Sequence, residues 1–209
     1  MSATTVKRKT QAERREQAES RMLEVAIRLV AQKGYEDLTL AEVGQAAGYS
    51  RGLPAHYFGH KEDLVAKAVQ HAIDQYQMAL VQRPPSEPGL PQLAAILRNY
   101  ARITNSKGNR ALGMLIAQSM VRPVLRKTVV QANERGLVRL ENELRAGIKA
   151  GNIRPDIRVK EQARVIYAFL RGQIGFVSLD PDWDPGAIAE EFILTLQARL
   201  GTGGGVQSQ

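Results

Sequence analysis

Apolar residues recur at intervals of three and four along most of this chain, which is the pattern of helices that bury one face. The first stripe ends at Gly34 and consists of Met22, Leu23, Ala26, Ile27 and Val30. Similar stripes predict helices over residues 61–82, 90–106, 111–121, 123–150, 159–179 and 185–200, with a break at SKGN, residues 106–109. Gly151 is predicted to end the helix over 123–150, and Asp184 to cap the last helix. Because no strand-like alternation or tandem repeat interrupts them, the chain is predicted to be all-α, with about nine helices.

Residues 39–58, TLAEVGQAAGYSRGLPAHYF, predict two short helices joined by a tight turn. Thr39 can cap the first helix, and Glu42, three residues later, completes a capping box. Gly48 suits the turn because glycine adopts left-handed backbone without steric cost, and Ser50 is the predicted N-cap of the second helix. Such helix-turn-helix units place their second helix in the major groove of DNA, although the same joint also occurs in ordinary helical bundles.

The flanks of this unit carry a family resemblance. Residues 22–64, MLEVAIRLVAQKGYEDLTLAEVGQAAGYSRGLPAHYFGHKEDL, resemble the DNA-binding domain of TetR-family transcriptional regulators. The resemblance implies an N-terminal three-helix DNA-binding domain and a larger C-terminal helical domain for ligand binding and dimerisation. The chain departs from the family pattern at Pro54, at Ala55, where an aromatic residue is usual, and at His60, where Ser, Thr or Asp is usual.

Two groups of residues are candidates for DNA contact. Ser50 and Arg51 lie at the start of the predicted recognition helix, where side chains reach base edges, and arginine can pair with guanine through two hydrogen bonds. Gly52 allows close approach of the backbone, and Leu53 can contact a thymine methyl group. The resemblance implies a second group that holds phosphates, namely Thr39, His56, Tyr57 and Lys61. Ala47 and Phe58 are predicted to be core residues.

The predicted boundaries divide the chain into four segments. Residues 1–15 form a flexible basic arm, which either follows the minor groove of DNA or is simply a solvated tail. Residues 16–76 form the DNA-binding domain, residues 77–200 the effector-binding and dimerisation domain, and residues 201–209 a flexible tail. The boundary near Tyr76 falls within the predicted helix 61–82, so that one helix is shared by both domains.

The last two predicted helices carry more apolar surface than one core needs. By resemblance they form a homodimer interface, to which we assign Phe169, Val177, Phe192 and Leu196. A helical hairpin buried within one subunit is the alternative. A dimer agrees with DNA geometry, since two recognition helices bind two half-sites about one helical turn apart.

A small-molecule effector site is expected within residues 90–180, where Met, aromatic and small residues can line an adaptable apolar cavity. Its candidate residues are Tyr100, Met114, Leu115, Tyr167 and Phe176, and close-packed core explains each of them equally well. Residues 84–160 hold fourteen Lys and Arg against five Asp and Glu, a net charge of +9. An acidic head on an apolar ligand, such as a fatty acid or acyl thioester, would explain some of Arg98, Arg102, Arg110, Arg122 and Arg126. Reduced repulsion from DNA is the alternative.

Composition narrows the function classes. The chain has a net charge of +8, which suits a polyanionic partner, and no cysteine, which excludes disulfides and thiolate chemistry. It has no apolar run of membrane-spanning length and no signal peptide at its start, so we expect a soluble cytoplasmic protein. Nucleotide-binding glycine motifs, HExxH and GxSxG are absent from the sequence. We therefore expect no enzyme activity and no cofactor, and we interpret His56 and His60, four residues apart, as an accidental pair and not a metal site.

These observations predict a homodimeric transcriptional regulator, a repressor that a small effector releases from its operator. Effector binding would shift an equilibrium between DNA-competent and incompetent spacings of the two recognition helices. A DNA-binding protein without an effector is one alternative. A helical enzyme or ligand carrier without specific DNA binding is another.

Overall fold

The computed structural model of the protein describes residues 10–81, 87–104 and 107–203, with side chains except at 76–81 and 107–112. Nine α-helices lie within these residues: α1 Gln11–Lys33, α2 Leu40–Ala46, α3 Leu53–Phe58, α4 Lys61–Val81, α5 Leu90–Thr104, α6 Lys107–Ser119, α7 Pro123–Ala150, α8 Val159–Leu179 and α9 Pro185–Leu200. The all-α prediction is confirmed, and the one pairing of extended backbone among the described residues is an isolated bridge between Ile153 and Gly201. None of the described helices is long and apolar enough to span a bilayer.

Helix α1 begins at Gln11, within the segment 1–15 that was predicted to be a flexible arm. The Glu13 carboxylate accepts from the Thr10 backbone N–H at 2.6 Å, and the Thr10 hydroxyl accepts from the Glu13 N–H at 3.2 Å. This capping box starts the helix at Gln11. The prediction of a flexible arm was therefore wrong for residues 10–15, because Thr10 and Glu13 carry a local start signal. Residues 1–9 lie outside the described part of the chain.

The helix-turn-helix forms over the predicted residues. Thr39 and Glu42 make the predicted capping box at the start of α2, and Gly48 has the left-handed φ of 82° that the turn requires. The prediction of Ser50 as an N-cap was wrong, since Gly52 precedes α3 and no side chain caps it. Pro54 has a fixed φ that suits the first helical turn, which places the start of α3 beyond the reach of the Ser50 hydroxyl.

Gly44 allows α2 and α3 to pack closely against each other. It is buried, and a Cβ atom built on it would lie 2.4 Å from the carbonyl oxygen of Ser50 and 3.0 Å from Cδ of Pro54. The Gly44 carbonyl also accepts the backbone N–H of Tyr49 at 2.9 Å. Only a residue without a side chain fits this crossing, and the angle between α2 and α3 depends on it.

Two buried clusters form the interior. The first joins the predicted apolar stripe of α1 to α2, α3 and α4, and it also contains four residues of α6 and α7, namely Leu115, Leu125, Val129 and Ala132. The second joins α5, α7, α8 and α9. The first core therefore extends from the DNA-binding helices into the C-terminal part of the chain.

The C-terminal helices follow most of their predicted limits. Gly151 ends α7 in the left-handed conformation, and the Asp184 carboxylate accepts the N–H groups of Gly186 and Ala187 at the start of α9, both as predicted. Helix α6 starts at Lys107, so the predicted break does not extend over residues 107–109.

The tail prediction was wrong for residues 201–203. Gly201 pairs with Ile153, and the Thr202 hydroxyl donates to the Gly151 carbonyl at 2.9 Å, which ties this segment to the end of α7. Residues 204–209 lie outside the described part of the chain.

Candidate nucleic-acid interface

The beginning of α3 presents a solvent-facing polar surface. Ser50, Arg51, Gly52 and His56 are exposed, and Leu53 is half-buried at the edge of the first core. A guanidinium nitrogen of Arg51 donates to the side-chain oxygen of Gln45 at 3.3 Å, so α2 holds this arginine beside the recognition helix. The sequence-predicted base-reading residues therefore lie together on one exposed surface.

The far end of α3 carries an aromatic group that packs toward α1. Tyr57 is half-buried, His56 stands edge-on to it at 6.0 Å between ring centroids, and the Arg15 guanidinium lies 5.6 Å from the Tyr57 centroid. Because α1 starts at Gln11, Arg15 is held on a helix beside the recognition helix. The sequence prediction missed this placement, although the Thr10–Glu13 capping signal could have indicated it.

Thr39 is the N-cap residue of α2. Its hydroxyl donates to the Glu42 carboxylate at 2.6 Å, and the Lys33 ammonium binds the same carboxylate at 2.6 Å. The hydrogen bonds from Lys33 and then Thr39 lower the pKa of Glu42 to about 2. Thr39 is exposed at a helix N-terminus, where backbone N–H groups favour an anion such as a phosphate.

Lys61 lies at the start of α4, as predicted, and contacts the segment that precedes the helix-turn-helix. Its ammonium donates to the carbonyl oxygen of Glu36 at 2.8 Å and lies 4.7 Å from the ring centroid of Tyr35. The Tyr35 ring is buried, and its hydroxyl donates to Glu62 at 3.2 Å. Burial, followed by the Glu62 carboxylate, raises the pKa of Tyr35. The structure thus gives Lys61 a hydrogen bond within the fold, and its contact with a phosphate stays a prediction.

The predicted effector residues do not form one group. Tyr100 is buried within the second core, Tyr167 packs against that core, and the Tyr167 hydroxyl donates to the Asn133 side-chain oxygen at 2.8 Å. A guanidinium nitrogen of Arg171 donates to the same oxygen at 2.7 Å. Burial raises the pKa of the Tyr100 hydroxyl, and the nearby Arg171 partly opposes that shift.

The other three predicted effector residues lie elsewhere. Leu115 is buried in the first core, Met114 is 43% exposed, and Phe176 is 53% exposed and stacks on Trp183 at 4.4 Å between centroids. Helical spacing places Met114 and Leu115 on α6, but it cannot show that Met114 is exposed or which of the two cores Leu115 faces.

The predicted dimer residues lie on α8 and α9, which expose several large apolar side chains. Phe169 on α8 stacks on Phe192 of α9 at 3.9 Å between centroids, and both are half-buried, as is Val177. Leu196 is 3% exposed and belongs to the second core, so it lies beneath the surface. Large apolar side chains exposed on α8 and α9 are Val165, Phe176, Leu179 and Leu194.

Several arginines considered for an acidic ligand have partners within the fold. Arg98 donates to both carboxylate oxygens of Glu190, at 2.7 and 2.8 Å, and Arg122 pairs with Glu36. Arg126 donates to backbone carbonyls at the end of α6, and Arg102 to the Asn99 side chain. The side chain of Arg110 lies outside the described part. An acidic ligand is therefore not needed to explain these arginines.

Comparison with known proteins shows a similarity to one family of regulators. Residues 22–68 match the model of the bacterial regulatory proteins of the tetR family. The chain is 28% identical over 173 residues to the HTH-type transcriptional regulator AcrR of Shigella flexneri, a match that covers 79% of this chain and 80% of AcrR.

Two solved structures share the fold. A TetR transcriptional regulator from Chloroflexus aurantiacus superposes with a TM-score of 0.77 at 19% identity, covering 89% of this chain and 97% of that chain. The structure of AibR in complex with isovaleryl coenzyme A and operator DNA superposes with a TM-score of 0.65 at 19% identity, covering 85% of this chain and 97% of that chain.

Proposed function

Because residues 22–68 match the tetR family of bacterial regulatory proteins and the chain is similar to AcrR over 79% of its length, we propose that it is a regulator of that family and that the exposed start of α3 reads the base sequence of an operator. The observation that carries this proposal is the exposed surface of Ser50, Arg51, Gly52 and His56 on a helix-turn-helix within the matched residues. Arg51 contacts base edges, while Thr39, His56, Tyr57 and Lys61 are the candidates for phosphate contact. The regulator acts in the cytoplasm as a repressor and performs no catalysis.

A gel shift with the DNA upstream of the protein's own gene tests this function. Wild type is expected to shift that DNA at concentrations that leave random DNA free. Arg51→Ala should weaken operator binding by about 1–3 kcal/mol, because it removes a two-bond contact with one base pair. Arg145→Ala is the matched control, since it removes the charge of an exposed arginine on α7 that pairs with Glu141.

Two outcomes contradict the proposal. Equal losses on operator and random DNA for Arg51→Ala would remove its base-reading role. No specific shift by the wild type would favour a helical enzyme or ligand carrier.

We assign the effector site to the α5–α7–α8 region around Tyr100 and Tyr167. Arg171 supports a ligand with an anionic head, because it approaches both tyrosines and takes part in no ion pair among the described residues. Asn133 uses its side-chain oxygen for Tyr167 and Arg171, which leaves its amide N–H groups as further donors toward a ligand. The AibR complex with a coenzyme A thioester shows that a protein of this fold accommodates such a compound.

Calorimetric titration with a fatty acyl coenzyme A, the fatty acid and the corresponding neutral alcohol tests the ligand class. The two anions are expected to bind more tightly than the alcohol, and Arg171→Gln should remove the difference. Equal, salt-independent binding of all three compounds would eliminate the anionic head.

We also propose that α8 and α9 form the homodimer interface, with the stacked Phe169 and Phe192 at or just under the contact. The support is the exposed apolar surface of these helices, which exceeds what an isolated subunit needs. Val177 lies at the same surface, and Leu196 supports it from the core. Dimerisation presents two recognition helices to two half-sites.

A further inference from the structure

The buried ring of Tyr35 lies where both ends of the helix-turn-helix meet. Tyr35 and Glu36 precede Thr39, at which the motif begins, and Lys61 and Glu62 follow shortly after Phe58, at which it ends. The Lys61 ammonium binds the Glu36 carbonyl, and the Tyr35 hydroxyl donates to Glu62. The two connections to the motif are therefore joined to each other around one aromatic ring.

Arg122 brings the C-terminal helices to the same ring. Its guanidinium carbon lies 4.1 Å from the Tyr35 centroid, and one of its terminal nitrogens donates to the Glu36 carboxylate. Arg122 lies immediately before α7, in the turn that follows α6. A single side chain thus connects the α6–α7 turn with the segments on either side of the helix-turn-helix.

The backbone that carries Arg122 is itself held at both helices. Its N–H donates to the Gln118 carbonyl of α6 at 3.1 Å, and its carbonyl accepts the Arg126 N–H of α7 at 3.0 Å. The Arg126 guanidinium also donates to the Met120 carbonyl at 2.6 Å. Because the turn is constrained in this way, a shift of α6 or α7 also moves the Arg122 side chain.

The stacking on Tyr35 should contribute more than the ion pair. The Glu36 side chain is 70% exposed, and ion pairs in water contribute little. The Arg122 side chain is only 32% exposed, and its Nε is buried with no hydrogen-bond partner among the described residues. A cation over an aromatic ring gains strength as water is excluded, and its loss corresponds to about five- to thirtyfold in an equilibrium constant.

We propose that Arg122 is a positioning residue for DNA binding: it fixes the orientation of the helix-turn-helix relative to α5–α9 without touching DNA. This inference rests on the proposed function. Without the contact, the motif samples more orientations, the binding-competent fraction falls, and the apparent operator affinity falls by the same factor. The contact is also the place at which a ligand-induced shift of α6 or α7 reaches the recognition helix.

Variants at Arg122 test the proposal in the full-length protein, with Arg98→Gln as the matched control. Arg98 forms a bidentate ion pair with Glu190, between α5 and α9, so its loss removes a comparable contact away from the helix-turn-helix. Arg122→Gln is expected to weaken operator binding about five- to thirtyfold. Arg122→Lys should weaken it less, because lysine keeps a cation over the ring. Arg98→Gln should leave operator binding unchanged.

Hydrogen exchange provides a second readout that a general loss of stability would not produce. In Arg122→Gln, amides of residues 40–58 should lose protection while those of α8 and α9 keep theirs. If Arg122→Gln does not fold, Arg122→Met replaces it, since methionine keeps an apolar stem on the ring and removes the cation.

The outcomes separate the two hypotheses. If wild type shows no specific shift, the proposed function itself fails. If wild type binds the operator and the Arg122 variant binds equally well, only the positioning role is overturned. Equal losses of operator affinity in the Arg122 and Arg98 variants would also overturn it.

Discussion

Gly44→Ala should damage the helix-turn-helix through a single added methyl group. The new Cβ would lie 2.4 Å from the Ser50 carbonyl oxygen, which is backbone and cannot rotate away, and 3.0 Å from Cδ of Pro54. Alanine improves helix propensity by about 0.5–1 kcal/mol, whereas overpacking costs about 1–3 kcal/mol. Because α2 and α3 must separate to relieve the clash, we expect a net destabilisation of roughly 1–2 kcal/mol.

Thermal unfolding followed by circular dichroism measures this effect. For a chain of this length, that destabilisation lowers Tm by about 2–8 °C. Gly52→Ala is the matched control in the same motif, since its φ of −85° suits alanine and no atom lies within 4 Å of the added Cβ. Gly52→Ala should unfold like wild type even if it alters operator binding, whereas Gly44→Ala should lose both stability and operator binding.

One result would refute the steric reasoning directly. If Gly44→Ala unfolds at or above the wild-type temperature and still shifts operator DNA, α2 and α3 do not pack at the distance on which the estimate depends.

Three further predictions concern the interface, acid stability and α9. Phe192→Asp should yield monomers or insoluble protein because it places an unpaired charge in the proposed contact. Gln197→Asp is the control, since Gln197 is exposed and its spacing from Phe192 places it on a different side of α9; a soluble Phe192→Asp dimer in light scattering would remove the assignment. Ionised Glu42 stabilises α2, because hydrogen bonds in the folded state lower the pKa of its carboxyl group to about 2. This contribution to stability is complete above pH about 4.5 and should disappear as the pH falls toward 2. In Glu42→Gln, the free energy of unfolding should no longer fall over this pH range. If it falls as in wild type, Glu42 is not the group responsible. Asp184→Ala should lower stability by about 1 kcal/mol in urea unfolding, since Gly186 and Ala187 lose their acceptor; no change would show that water replaces the cap.

Features encoded within a few residues were predicted well. The Thr39–Glu42 capping box, the helix end at Gly151 and the Asp184 cap each depend on neighbours in sequence, and the structure confirms them. The start of α1 could have been predicted in the same way, because Thr10 and Glu13 form an equally local capping signal. Ser50 shows a limit of such signals, because the proline four residues later determined the helix start.

Contacts between distant residues could not be predicted from periodicity. An apolar stripe shows that Leu115 is buried, but not that it faces α1 instead of a ligand cavity. The net charge of residues 84–160 gave no indication that Arg98 and Arg122 have carboxylate partners 92 and 86 residues away. The DNA contacts stay a prediction, but Ser50, Arg51 and Gly52 could be placed together because they are consecutive in one short motif.

The core shared between α1–α4 and α6–α7 limits how this protein can be re-engineered. A chimeric sensor joined near residue 76 would separate Met22 and Leu64, both 0% exposed, from Leu115, Leu125 and Val129 of the same cluster. Each large apolar side chain left uncovered forfeits about 1.5–3 kcal/mol. A functional chimera should therefore keep two separate segments of this chain, α1–α4 and the segment from α6 to the first half of α7. The second protein would then supply α5, α8 and α9.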